Sequence, residues 1–296
     1  MATLLTRSLN AAVRALLGDG READFLTPLG SMALVTADSI SWRVFKNPVA
    51  LFVGGIAAVL LELAEPRVRE GVWRFSDFKR DPVGRMRRTG MAAMVTVYAA
   101  HERAEALIGD VNRRHARVHG STADGVPFRA LDPDLLSWVH ATASFGFLNA
   151  YCTYVRPLGL GARDQFYREA QVAAALYGAL AAPASEAALH AQFDAMCPRL
   201  ESSEILRDFL QIVNAAPVLP RSFALLQQML VRAAVALVPE PARSRLGLEE
   251  ELSSLERRLV RLLGSAGEHL VLASAPPALA CRRLGLPANY LYRKGE

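Results

Sequence analysis

The chain has 296 residues, of which 52% are hydrophobic and 21% charged, and a formal net charge of +5. That length buries a large core and suits one domain; Ala and Leu recur while period-two runs of Val, Ile and Thr are scarce, so a single all-α domain over 1–296 is expected. Three widely separated cysteines, Cys152, Cys197 and Cys281, exclude a disulfide framework and a C-x-x-C zinc pair, and they fit a reducing, cytoplasmic setting.

Glycine and proline punctuation predicts helices over 3–17, 22–37, 48–63, 66–72, 81–109, 110–118, 132–155, 161–180, 185–195, 201–213, 219–237, 249–263 and 276–284. The first of these contains no acid and two arginines and so superficially resembles a transit peptide. It lacks the apolar run of a secretory signal and reads as a helix docked on the core. The longest apolar run, Pro48 to Leu61, falls short of the roughly 18 residues that span a bilayer, so it reads as a buried helix and no transmembrane segment is expected. Within it, Gly54-Gly55 lets a backbone or a flat ligand approach closely, helix packing being the commoner use.

Glu62 and Glu65 follow, three residues apart and predicted to share a helical face. A buried carboxylate there serves as a proton donor or acceptor; the structural alternative is an ion pair of Glu65 with Arg69 at i+4. From Arg67 to Arg88 lie eight basic residues, in a chain with 31 arginines and only three lysines. Glu70, Asp77 and Asp81 interrupt them and no nucleic-acid module or aromatic platform accompanies them, so nucleic acid is not an expected partner. Arg85, Arg88 and Thr89 are related by i, i+3 and i+4 and project from one face, which suits a carboxylate ligand. The structural alternative for Arg85 is a pair with Asp81 at i−4.

His115 and His119 are also spaced i, i+4, with Gly120 placing the second at a frayed helix end. Asp132-Pro133 is a strong helix start, and His140 lies two turns inside, beneath Leu136 and near Ser144. Other chemistries lack their residues. There is no paired Glu-x-x-His of a di-iron bundle, no H-E-x-x-H, Walker loop or G-x-G-x-x-G, and no C-x-x-C-H; Cys197-Pro198 lacks the glycine-rich setting of a thiolate heme ligand.

Taken in order, Gly54-Gly55 through Leu60-Leu61-Glu62-Leu63-Ala64-Glu65-Pro66, Asp81-Pro82-Val83-Gly84-Arg85 with Thr89, His115 through Gly120, Ala130-Leu131-Asp132-Pro133 through His140, and Tyr167-Arg168-Glu169 resemble a known family. It is the family of heme-b oxygenases typified by bacterial latex-clearing protein, a rubber oxygenase, and fungal MpaB. The likeness covers about 25–245, leaving 246–296 as a C-terminal helical extension that covers the core or forms an interface.

The resemblance implies an all-α fold around one heme b, with His115 as the favoured iron ligand and His140 in reserve. It places Arg85 on a propionate or on dioxygen, and Thr89 as a hydrogen-bond donor to the oxygen ligand. Arg88 stands where the rubber-oxygenase branch has a lysine that ligates the distal side of iron. A guanidinium offers iron no lone pair, so an open or water-filled distal site is implied. Glu62 and Glu65 replace a family glutamine and histidine. The expected function is a heme-b-dependent oxygenase using dioxygen on an apolar, alkene or prenyl-like small molecule. The alternatives are an oxidase or peroxidase-like enzyme, a non-catalytic heme-binding helical protein, and an anion-binding protein without heme.

Overall fold

The computed structural model describes residues 24–248 and 252–293. The helix expected over 3–17 lies outside them, as do the first residues of the one expected over 249–263. The described residues form thirteen α-helices and one two-stranded sheet, so the fold is all-α.

Two helices frame the molecule. α1 (Ile40–Phe45) leads into α2 (Pro48–Ala64), which begins where the Asn47 side chain accepts from the Val49 and Ala50 amides and Pro48 occupies the first turn. α3 (Pro66–Phe75) then turns away from α2 by 109°. α4 (Pro82–Tyr98) and α5 (His101–His115) follow, then a hairpin of β1 (His119–Ser121) and β2 (Pro127–Arg129). α6 (Pro133–Tyr154), capped by Asp132, runs through the core and packs along α2 more extensively than any other pair of elements. α7 (Leu160–Tyr177), α8 (Glu186–Met196), α9 (Glu204–Ala215), α10 (Ala224–Leu237), α11 (Ala242–Arg245), α12 (Ser254–Gly267) and α13 (Pro276–Arg283) complete the set. No single described helix is long and apolar enough to cross a membrane.

The α2–α6 contact explains Gly54. A side-chain carbon built there would stand 2.6 Å from the Gly146 carbonyl oxygen, and one at Gly146 would stand 2.2 Å from that of Gly54. The glycine serves a backbone-to-backbone helix crossing. The crossing is further tied by the Trp138 indole, which donates to the Leu61 carbonyl at 3.3 Å.

Three expectations need correction. No helix forms over the described part of 22–37. The Asp24 carboxylate accepts from the Leu26 and Thr27 amides, and Gly30 adopts φ +80°, so local hydrogen bonds and a left-handed turn displace the helix. The helix expected over 81–109 breaks at Ala99-Ala100, where Ala99 is extended and the His101 amide donates to the Met32 carbonyl at 2.8 Å. The second piece ends at His115, and His119 lies in β1 opposite Arg129 rather than at a helix end.

The C-terminal segment is part of the core. Arg283, 1% exposed, donates to the Phe25 and Ser31 carbonyls, and buried Lys46 reaches the Leu291 carbonyl at 2.6 Å and the Glu268 carboxylate at 3.0 Å. Val260, Leu272, Ala280 and Cys281 share one apolar cluster with Phe25, Trp42 and Leu61.

Candidate functional site

Glu62 sits in the last turn of α2, Arg85 in the first turns of α4, and His115 at the end of α5. Arg85 is the link. Its charge opposes the rise in the Glu62 pKa and adds to the depression of the His115 pKa. In both groups burial is the larger cause. It pushes Glu62 up from 4.5 to about 7, with Arg85 and the Thr142 hydroxyl of α6 pulling the other way, and it pulls His115 below 6.5. Yet Glu62, Arg85 and His115 all keep some accessible surface.

Arg85 is held by Thr89. The guanidinium donates to Thr89 Oγ1 at 2.5 Å, and that hydroxyl donates in turn to the Arg85 carbonyl at 3.0 Å. Thr89 therefore fixes Arg85, its proton committed to its own helix, and is not free in this geometry to donate to a ligand. Asp81 caps α4 through the Gly84 amide and pairs with Arg88 at 3.2 Å, so the i−4 pair weighed as the structural alternative for Arg85 is not what forms.

Arg88 departs from its expected place. It is half-exposed and lies between Asp77 and Asp81, on the outer side of α4. Glu65 departs as well. α2 ends at Ala64, and Glu65 is extended before Pro66, so it does not share a helical face with Glu62. Its buried carboxylate caps α3 through the Val68 amide and pairs with Arg67 at 2.8 Å and Arg199 at 3.4 Å, while Arg69 turns to Glu201. These contacts occupy Glu65 in joining α3 to the segment after α8.

His140 lies in α6 as expected, its Nδ1 3.5 Å from Ser144 Oγ. Burial alone pushes it down to about 4, so it is neutral across the physiological range, and neither Arg85 nor Glu62 contributes to its shift. It belongs to a different surface of α6 from Thr142. Sequence reasoning missed Thr142, a fully buried threonine two residues after His140. Its one signal was a hydroxyl between two alanines, one among several polar residues of that helix.

The two ring nitrogens of His115 differ. Its Nδ1 is sealed from solvent without a hydrogen-bond partner, whereas Nε2 is not among the sealed atoms. Among the described residues no group of three or more His, Cys, Asp or Glu is placed to hold a bare metal ion. A metal borne by its own macrocycle needs only an axial donor, and neutral His115 beside cationic Arg85 supplies an imidazole and a partner for a carboxylate-bearing cofactor.

The Glu62 environment has a measurable consequence. Its pKa is raised on folding, so the protonated form is favoured in the native state; the resulting stability is complete below pH 4.5 and is lost as pH rises from 4.5 to about 7. Chemical denaturation across that range is expected to show a decline on the order of 3 kcal/mol attributable to this group, and Glu62→Gln should remove most of it.

Glu62, Arg85 and His115 thus come from three different helices of an all-α domain and are coupled through the charge of Arg85. Over residues 42–268 the chain matches the family model described as "ER-bound oxygenase mpaB/B'/Rubber oxygenase, catalytic domain". It belongs to that family, and the family is one of oxygenases. No curated protein and no solved structure matches the chain.

Proposed function

We propose that the chain is a heme-b-dependent oxygenase that uses dioxygen on an apolar, alkene or prenyl-like small molecule. The observation that carries this reading is His115: an imidazole with Nδ1 sealed in the protein without a partner and its pKa lowered by burial and by the nearby charge of Arg85. Bound there through Nε2, a heme would supply the redox-active iron at which dioxygen reacts.

The chain's own residues do the rest. Arg85, fixed by Thr89, pairs with a propionate or orients a polar oxygen group. Glu62, with a pKa near neutrality and the Thr142 hydroxyl beside it, holds or releases a proton at its carboxylate within the working pH range. Helices α2 and α6, apolar along most of their length, keep water from the site and favour a substrate of like polarity.

The purified chain is expected to take up hemin and to show the visible spectrum of a histidine-ligated heme. A colourless protein that binds no added hemin removes this reading. Incubated with an alkene under labelled dioxygen, the loaded protein should place label in carbonyl products. Unlabelled products would exclude oxidative cleavage and leave an oxidase or peroxidase-like reaction.

A further inference from the structure

Two polar atoms on one face of α5 are sealed from solvent without partners: Nδ1 of His115 and Oδ1 of Asn112. They are three residues apart, the spacing at which helical side chains are neighbours, with Cβ atoms about 5–6 Å apart. Buried polar atoms are almost always satisfied, so two orphans side by side call for an explanation.

The Asn112 amide is already oriented. Its Nδ2 donates to the Leu176 carbonyl at 2.9 Å, near the C-terminal end of α7, and this bond leaves Oδ1 as the unused acceptor. An imidazole that gives Nε2 to a metal carries its proton on Nδ1 and needs an acceptor there. The missing acceptor and the missing donor are adjacent.

We propose that Asn112 is the positioning residue of His115: its Oδ1 accepts the Nδ1–H, fixing the tautomer that presents Nε2 to the cofactor. The Leu176 anchor then couples the ligand's orientation to α7. This inference rests on the heme reading, which it deepens by naming what holds the ligand in register.

The test uses the full chain, wild type and with Asn112→Leu or Asn112→Asp. In the hemin-free protein, nitrogen-15 NMR of the histidine ring should show the Nδ1–H tautomer at His115 in wild type and a mixed population in Asn112→Leu. With hemin added, Asn112→Leu is expected to lose about ten- to a hundred-fold in affinity and to raise the iron midpoint potential. Asn112→Asp, a stronger acceptor, should lower that potential, and a merely structural role does not move the two variants in opposite directions. If wild type binds hemin while both variants keep its tautomer, affinity and potential, the proposal is overturned. If wild type binds no hemin, the heme reading itself has failed.

Discussion

His115→Ala is expected to abolish the axial-ligand spectrum of the hemin-loaded protein and to lower hemin affinity by at least about a hundredfold, which corresponds to roughly 2.8 kcal/mol. The residue ends α5, keeps accessible surface, and makes no hydrogen bond through its sealed Nδ1. Its removal therefore breaks no side-chain hydrogen bond, and the hemin-free variant should keep the wild-type circular dichroism spectrum with only a modest packing loss in thermal unfolding. His140→Ala is the control. His140 is neutral through burial and lies outside the influence of Arg85 and Glu62, so its loss should leave the axial spectrum in place while costing stability through the space it vacates. If instead His115→Ala keeps the native spectrum and His140→Ala loses it, the assignment passes to His140. Exogenous imidazole should partly restore the spectrum of His115→Ala, because the vacated position is open on the Nε2 side.

The contrast between these histidines shows what could be read from the chain. The starts of α2 and α6 were legible because Asn47-Pro48 and Asp132-Pro133 combine a capping side chain with a proline in the first turn, and both helices form close to their expected bounds. His115, Arg85 and Thr89 were singled out by spacing and family order, and the structure sets Arg85 against Thr89 and within electrostatic reach of His115. Ala99-Ala100 was not: alanine is the best helix former, and the break there reflects the contact of His101 with the loop at Met32, a tertiary bond no local pattern announces.

Glu65 carried a signal that was there to be used, since the residue before a proline is disfavoured in helical conformation, and Pro66 follows it. Spacing places side chains on a common face only while the helix continues. Arg88 shows a second limit. It stands at a helical spacing shared with Arg85 and Thr89, yet two nearby acids, Asp77 and Asp81, hold its long side chain on the outer surface. Glu169 shows a third. Its carboxylate accepts from the Ile40 and Ser41 amides and so caps α1 from far along the chain, a role that depends on how α1 and α7 pack. Thr142 and Asn112 likewise acquire meaning only once Glu62 and His115 are seen beside them.

Gly146→Ala is expected to destabilise the protein by at least about 3 kcal/mol, the upper part of the usual range for overpacking. Elsewhere in a helix this substitution is favourable by up to about 1 kcal/mol, so the sign is decided by the surroundings. At Gly146 the added methyl would lie 2.2 Å from the Gly54 carbonyl oxygen and 3.2 Å from the Ala58 methyl. The first of these is backbone and cannot swing aside, so α2 and α6 must separate or slide. Gly109→Ala in α5 is the opposing control, because its methyl meets only the flexible Arg113 guanidinium at 3.4 Å, and it should be neutral or stabilising in the same urea titration. Gly54→Ala meets the Gly146 carbonyl at 2.6 Å and should cost a similar amount. The double variant should cost less than the two singles together, since once the helices have parted for one methyl the second meets less resistance. Separation at this crossing also draws Glu62 on α2 away from Thr142 on α6. Burial is the largest cause of the raised Glu62 pKa and the hydroxyl a smaller, opposing one, so water admitted at the parted crossing outweighs the loss of Thr142; in any Gly146→Ala protein that still folds, the stability decline that begins at pH 4.5 should end at lower pH than in wild type. A folded variant with an unchanged pH profile would mean that the crossing absorbs the methyl without disturbing the site.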